Sequence, residues 1–203
     1  TEDEQIVFYT ALYRSHERMI NISEDGRYRS PFDKQIHDDK GMPYWTDDWA
    51  WDTYHALHPL HTILNPKQET EKLNSFVRMY RESGWVPTFP TVYGDMHGMN
   101  GNHAAAIFAD AMCKGIDFDL EGAFEGMKHT VLTETMIPWL RGKNTELDEF
   151  YHQNGWFPAL HPGEKETIPG VNSFEQRQAV AVTLAASYDD WCIAQMAKKL
   201  GKK

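Results

Sequence analysis

Apolar positions along the chain recur mostly at the three- and four-residue spacing of helices, and no alternation typical of strands persists for long. Gly and Pro punctuate the intervening segments. The pattern predicts helices over Glu2–Asn21, Lys67–Ser83, His103–Gly115, Asp117–Thr135, Leu147–Asn154 and Phe174–Gly201. A further helix begins near Trp49 and is interrupted or bent at Pro59, and Asp117 or Asp119 is a possible N-cap of the helix before Thr135. The chain is therefore predicted to be all-α, with paired helices joined alternately by short turns and long loops.

The long loops are rich in aromatic and polar residues. The segment Ser23–Asp48 is long for a loop without structure, and its aromatic side chains favour an ordered loop with a short hairpin. Two further loops are the glycine-rich Gly94–Asn102 and the stretch Gly155–Ser173. In a toroid of helical hairpins, long loops gathered at one end build a deep pocket while the helices supply the scaffold.

Composition limits the classes of partner. The formal net charge of -10 over 203 residues argues against nucleic acid and against an anionic membrane surface. No apolar run approaches the roughly 20 residues that span a bilayer. Cys113 and Cys192 lie far apart in predicted helices and are expected to be two buried thiols. The chain starts within a helical pattern, without an initiator methionine or secretion signal, so a piece of a longer polypeptide is expected.

The segment Trp45–Leu60, WTDDWAWDTYHALHPL, concentrates aromatic, acidic and histidine side chains. Asp47 and Asp48 are expected to cap the helix that follows and to complement its dipole. Trp51 beside Asp52 suits a neutral sugar, because indole offers a flat apolar face and the carboxylate accepts hydrogen bonds from two vicinal hydroxyls. A purely structural role remains the alternative for this pair.

The histidines of the same segment raise the question of a metal. Trp51, His55 and His58 have the spacing of one helix face. A zinc site formed by His55, His58 and His61 is disfavoured, because Pro59 disrupts the helical geometry and no fourth ligand stands at a familiar spacing.

A second polar group lies in the glycine-rich loop, at His97, Asn100, Asn102 and His103. Glycine lets backbone approach a ligand closely, and His and Asn side chains form hydrogen bonds with hydroxyl groups. The alternative is a loop whose Asn and Gly residues only adopt left-handed conformations.

The string YDDW places Asp189 and Asp190 inside the last predicted helix. Neighbouring side chains on a helix point about 100° apart, so the two aspartates cannot act together as a catalytic pair. One of them is expected to face a loop and cap it.

Motifs of serine hydrolases, nucleotide-binding proteins and zinc proteases are missing from the sequence. A glycosidase needs two carboxylates that flank the scissile bond. Asp52 and Asp110 are available for that role, but their spacing in the sequence does not establish such a pair.

A series of strings resembles glycoside hydrolase family 92, the calcium-dependent, inverting exo-α-mannosidases of N-glycans and mannans. The strings are FYTALYR, DGRYRSPFDKQIH, WAWDTYHALHPL, SGWVPTFP, NGNHAAAIFADAMCKGIDFDLEGAF and YDDWCIAQMAKKLG. They cover nearly the whole chain in the family's order, and WDTYxALHPL and ADAxCKGI are specific.

The resemblance implies that residues 1–203 form part of an (α/α)6 toroid, the first half of a catalytic domain that a β-sandwich normally precedes. It implies substrate-binding roles in the pocket of the terminal mannose for Trp51, Asp52, His55, Asn102 and His103. Family members often carry Arg at the position of His55.

The resemblance places the general acid, the calcium ligands and the base in TEGN-, HGNEP- and GNDD-type motifs, none of which occurs here. Catalytic residues and metal ligands are therefore expected outside this chain, which by itself is predicted inactive. The implied cofactor is calcium, the implied partners are mannose-containing glycans and the rest of the same polypeptide, and the implied location is secreted, periplasmic or cell-surface. The alternatives are a non-catalytic carbohydrate-binding helical domain and another (α/α)6 glycosidase, such as a trehalase-like enzyme.

Overall fold

The structure, a computed structural model, describes residues 1–202. Eight helices and six short strands occur in that part of the chain. The helices are α1 Glu2–Arg14, α2 Ala50–Thr53, α3 Leu57–Leu64, α4 Pro66–Ser83, α5 Ala104–Cys113, α6 Leu120–Thr133, α7 Glu146–Asn154 and α8 Ala179–Lys199. The strands are β1 Ile20–Asn21, β2 Arg27–Arg29, β3 Ile36–Asp38, β4 Trp45–Thr46, β5 Pro90–Thr91 and β6 Gly94–Asp95. They pair antiparallel as β1–β4, β2–β3 and β5–β6, so the fold is mostly helical, as predicted, with three small ladders.

The hairpin β2–β3 lies in the loop where the sequence predicts one. Glu82 on α4 holds this loop, because its carboxylate accepts hydrogen bonds from three loop hydroxyls. The donors are Tyr28 at 2.7 Å, Ser30 at 2.6 Å and Tyr44 at 2.9 Å. The loop is thereby ordered against the helical scaffold.

The prediction that the first helix extends to Asn21 is wrong. Helix α1 ends at Arg14, where the Ser15 hydroxyl donates to the Leu12 carbonyl at 2.7 Å and the His16 ring contacts the same oxygen at 2.9 Å. These side chains compete with the helical backbone pattern for that carbonyl. The chain beyond then pairs with β4, so tertiary pairing overrides the helical periodicity.

The predicted start of the last helix at Phe174 is also wrong, because α8 begins at Ala179. Gln176 and Gln178 have left-handed backbone conformations, with φ of 56° and 46°. The side chain of Asn172 accepts hydrogen bonds from the backbone N–H groups of Phe174 and Glu175, which closes a turn in place of a helical turn.

Helix α5 lies at the centre of the main core. Its five alanines are all buried, and it packs against α8, α6 and α3. Small side chains permit this close approach of several helices. Phe76 of α4 meets Phe108 of α5 edge-to-face, with ring centroids 6.1 Å apart.

The helical segment after Trp49 is interrupted earlier than predicted. Helix α2 ends at Thr53 and α3 begins at Leu57, so the break precedes Pro59. Pro59 occupies the first turn of α3, where a backbone N–H has no partner within the helix and proline is tolerated. Trp51 and His55 therefore do not share one continuous helix face with His58.

The two cysteines differ in burial. Cys192 is buried as expected, whereas Cys113 is exposed at the end of α5 because the packed face of that helix lies on its alanine side.

Within residues 1–202 no helix combines the length and apolarity that a bilayer crossing requires.

Candidate functional site

The pair Trp51 and Asp52 lies on the four-residue helix α2 and faces solvent. Trp51 is 37% exposed, and Asp52 is exposed as well. Within residues 1–202 no hydrogen-bond donor contacts the Asp52 carboxylate. The unpaired carboxylate can accept hydrogen bonds from a ligand, and the exposed indole can pack against the apolar face of the ligand.

A buried ionic network anchors the segment that carries this pair. His58 of α3 contacts Asp48 at 3.0 Å through Nε2 and Glu69 of α4 at 2.6 Å through Nδ1, and all three side chains are nearly inaccessible. Burial lowers the pKa of His58, but the Glu69 and Asp48 carboxylates more than offset it and raise the pKa to about 10. The positively charged ring of His58 thus ties Asp48, which lies just before Trp49, to helices α3 and α4.

The predicted capping role of Asp47 and Asp48 is wrong. The N-cap of α2 is Trp49, and no side chain caps the helix. Asp48 is turned inward to His58, and Asp47 pairs with Arg18 at 3.1 Å. The Arg18 guanidinium also lies 4.1 Å from the centre of the Trp49 ring, so long-range contacts fix the start of this segment.

Asn102 and His103 lie at the start of α5 and are mostly buried, at 9% and 5% exposure. The Asn102 side-chain amide donates to the Val86 carbonyl at 2.8 Å, while its Oδ1 is buried without a partner among residues 1–202. The His103 Nδ1 lies 2.8 Å from Asp189. The expectation that one aspartate of YDDW caps a loop is confirmed at Asp189.

The other two polar residues of the glycine-rich loop, His97 and Asn100, lie apart from Asn102 and His103. His97 contacts the Thr88 hydroxyl at 3.3 Å, and burial lowers its pKa to about 4. Asn100 donates to the Gln178 side chain at 3.1 Å, which ties the loop to the start of α8.

Tyr54 brings the two candidate stretches together. Its ring centroid lies 3.9 Å from that of His55 and 4.2 Å from that of His103. Tyr188 of α8 lies 6.2 Å from Tyr54 and 6.4 Å from His103. Sequence reasoning did not select Tyr54 or Tyr188 as site residues, although both stand inside the quoted strings WDTY and YDDW.

A cavity of about 50 Å³ is lined by Asn102 and Asp189 together with residues of α6, α7 and α8. Glu134 and Asp190 line it, and burial raises the pKa of both carboxyl groups. The Tyr151 hydroxyl donates to Asp190 at 2.8 Å. The volume admits a few water molecules and no sugar ring, so this cavity is unsuited to the predicted ligand.

The donor set of residues 1–202 does not fit a metal ion. No group of three or more His, Cys, Asp or Glu side chains in that range is arranged to hold one. Both ring nitrogens of His58 face carboxylates, and the His61 Nδ1 faces the Lys72 amine at 2.7 Å. No calcium or zinc site is therefore assigned within these residues.

The structure thus combines a mostly helical scaffold with an exposed tryptophan–carboxylate pair. The family comparison specifies the class. Residues 1–203 match the model described as the glycosyl hydrolase family 92 catalytic domain, and the chain belongs to this family.

Solved structures of two mannosidases from Bacteroides thetaiotaomicron resemble the chain in fold and sequence. The family GH92 alpha-mannosidase BT3965, in complex with mannoimidazole, is 30% identical, with a TM-score of 0.77 over 96% of this chain and 23% of that chain. The family GH92 inverting mannosidase BT2199, from strain VPI-5482, is 33% identical, with a TM-score of 0.76 over 96% of this chain and 25% of that chain.

A third structure, the GH92 family glycosyl hydrolase ccman5, is 21% identical with a TM-score of 0.65, over 99% of this chain and 23% of that chain, and supports the fold alone. The chain thus spans about a quarter of the length of these structures. A search of curated protein sequences finds no match to it.

Proposed function

We propose that the protein containing this chain is an exo-acting α-mannosidase that releases terminal mannose from N-glycans or mannans with inversion. Family membership and the two similar mannosidases support the proposal. The observation that carries it is the exposed Asp52 carboxylate, which lacks a donor among residues 1–202 and stands next to Trp51. The chain would supply scaffold and part of the −1 subsite, the position of the terminal mannose.

The proposed contacts follow from the chemistry of each side chain. Asp52 accepts hydrogen bonds from two mannose hydroxyls, and Trp51 shapes the pocket with its apolar face. The rings of His55 and His103 both pack against Tyr54 and offer nitrogens to a ligand. Asn102 is 9% exposed and donates to the Val86 carbonyl, so its part in the subsite is to hold the loop that presents His103.

The bond-breaking groups are proposed to lie outside this chain. An inverting glycosidase places an acid and a base about 6.5–9.5 Å apart with a water between them. Calcium ligands are assigned to the same outside region, since the donor set of residues 1–202 does not fit the ion. The helices described here would form part of an (α/α)6 toroid whose loops surround the pocket.

Mannose release from α-1,2-mannobiose by the intact gene product tests the proposal. We expect hydrolysis in the presence of calcium and its loss with a chelator, and no cleavage of the matched α-1,2-linked glucose disaccharide. An intact product that binds mannose but hydrolyses no α-mannoside would contradict the proposed activity and favour a carbohydrate-binding module. Cleavage of α-1,3- but not α-1,2-mannobiose would correct the linkage alone.

A further inference from the structure

Asp189 of α8 lies at the junction of the last helix and the loop that leads into α5. It is 2% exposed, and each of its carboxylate oxygens meets one donor from this loop. Oδ2 accepts a hydrogen bond from the backbone N–H of Asn102 at 2.7 Å, and Oδ1 lies 2.8 Å from Nδ1 of His103. The contacts join residues separated by 86 and 87 positions in the sequence.

Gly101 makes this approach possible. Its φ of +77° lies in the left-handed region, and a Cβ atom there would lie 2.8 Å from the Cβ of Ala185 and 3.0 Å from Oδ2 of Asp189. A side chain at this position would push the loop away from α8. The glycine therefore serves the close approach of loop and helix, which brings His103 to the carboxylate.

The contact with Asp189 distinguishes the two ring nitrogens of His103. Burial raises the pKa of the Asp189 carboxyl, and the hydrogen bonds with His103 and with the Asn102 N–H oppose this rise. In its ionised form the carboxylate only accepts, so Nδ1 carries the proton of this hydrogen bond. In the neutral ring, Nε2 then holds the lone pair. Nε2 has no hydrogen-bond partner among residues 1–202. It is not one of the side-chain atoms there that are both buried and without a partner, so it is accessible to solvent. Tyr54 packs against the ring and limits its rotation.

We propose that Asp189 is a positioning residue that fixes the tautomer and orientation of His103, so that Nε2 offers an acceptor to a hydroxyl of the bound sugar. The sugar as ligand rests on the proposed function, whereas the tautomer depends only on contacts within this chain. Asp190, the next residue, accepts from Tyr151 on another side of α8 and has no part in this arrangement.

Carbethoxylation of His103 by diethyl pyrocarbonate tests the assignment in the full-length protein, because the reagent acylates the imidazole nitrogen that holds the lone pair. The modification rate is measured by peptide mass spectrometry at mildly alkaline pH. In Asp189→Asn, the new amide can accept from the Asn102 N–H while its NH₂ group donates to Nδ1, which moves the ring proton to Nε2. We expect modification roughly tenfold slower in this variant, since the buried Nδ1 now holds the lone pair.

The matched control is Asp190→Asn, which should leave the rate of His103 modification unchanged. Equal rates in the wild type and Asp189→Asn would overturn the proposal. The wild type provides a second measurement that does not depend on how the variant folds. Two-bond nitrogen–proton NMR of protein labelled with ¹⁵N-histidine should give the Nδ1–H tautomer, with the resonance assigned from its loss in His103→Gln, and an Nε2–H tautomer would refute the inference.

Mannose in the same modification experiment separates this inference from the proposed function. Slow modification in Asp189→Asn together with protection of wild-type His103 by mannose supports both. The same dependence on Asp189 without protection retains the positioning role and counts against the sugar contact. Protection by mannose with equal rates in both proteins retains the sugar contact and overturns the positioning role.

Discussion

At the residue scale, neighbouring aspartates have opposite roles in the segment that follows β4. Asp48 is fully buried and bound to His58, whereas Asp52 is exposed and unpaired among residues 1–202. Both are acidic residues near the start of a predicted helix, so local sequence treats them alike. Their different environments separate a structural carboxylate from one that can bind a ligand.

Asp52→Ala in the full-length enzyme should lower kcat/KM for α-mannoside hydrolysis on the order of 100-fold, because the change removes charge-assisted hydrogen bonds to sugar hydroxyls. Circular dichroism and the thermal midpoint should remain those of the wild type, because the side chain supports no contact of the described fold. Unchanged kinetics would remove Asp52 from the subsite. Asp117→Ala, which also removes an exposed carboxylate, serves as the control for net charge.

At the element scale, the start of α6 is a helix end where local sequence and structure agree. The sequence offers Asp117 or Asp119 as the N-cap of the helix before Thr135. The structure selects Asp119, whose carboxylate accepts the N–H of Gly122 at 2.8 Å. Both aspartates are compatible with the sequence pattern, and only the path of the chain into α6 decides between them.

Asp119→Ala should destabilise α6 by about 1 kcal/mol, the usual cost of losing an N-cap side chain. The local free energy of opening, measured by hydrogen exchange of α6 amides in the full-length protein, reports the effect. Asp117→Ala should change it by less than about 0.5 kcal/mol, because an exposed carboxylate without a capping contact contributes little. Equal losses in the two variants would argue against the assigned cap.

The network of His58, Asp48 and Glu69 joins α3, α4 and the segment before α2, and it predicts a pH dependence. The pKa of His58 rises from 6.5 to about 10 in the folded protein, so its stabilising charge is fully present below pH 6.5 and is lost as the pH rises through about 10. The urea midpoint, followed by tryptophan fluorescence, should therefore fall across this alkaline range.

His58→Gln should lower the midpoint at neutral pH and remove this alkaline decline, because glutamine carries no charge to lose and leaves two buried carboxylates without their cation. His161→Gln removes an exposed imidazole whose ring contacts no hydrogen-bonding group in residues 1–202, and it should retain the wild-type decline. An identical decline in His58→Gln would show that another group titrates.

At the scale of the whole molecule, large apolar side chains remain exposed on α1 and α8. They include Ile6, Val7, Phe8 and Tyr9 on α1 and Val180, Leu184 and Trp191 on α8. Exposed apolar patches of this kind are typical of surfaces that another element covers. The chain covers only about a quarter of each similar mannosidase.

The isolated chain of residues 1–203 should release no mannose from α-1,2-mannobiose under conditions in which the intact product does. The reason is chemical, since the family motifs for the acid and the base do not occur in this sequence. Product analysis by chromatography checks the outcome. Hydrolysis by the isolated chain would overturn the assignment of both groups to the rest of the polypeptide.

The sequence by itself determined the helix-rich class, most helix positions, the hairpin in the first long loop and the resemblance to family 92. It also selected Trp51 and Asp52, adjacent in the chain, as candidates for a sugar contact, and this role stays a prediction. These features depend on residues a few positions apart, where hydrogen-bonding geometry and helical spacing are fixed by the backbone.

Tertiary structure alone decided how Asp48 meets His58 and Glu69, and how Asp189 reaches His103. The last pair is 86 residues apart, and no local pattern encodes that distance. Burial gives these contacts their effect, because a charge removed from water must find a partner in the packed interior. The identity of that partner follows from how the helices pack, which periodicity within each helix does not specify.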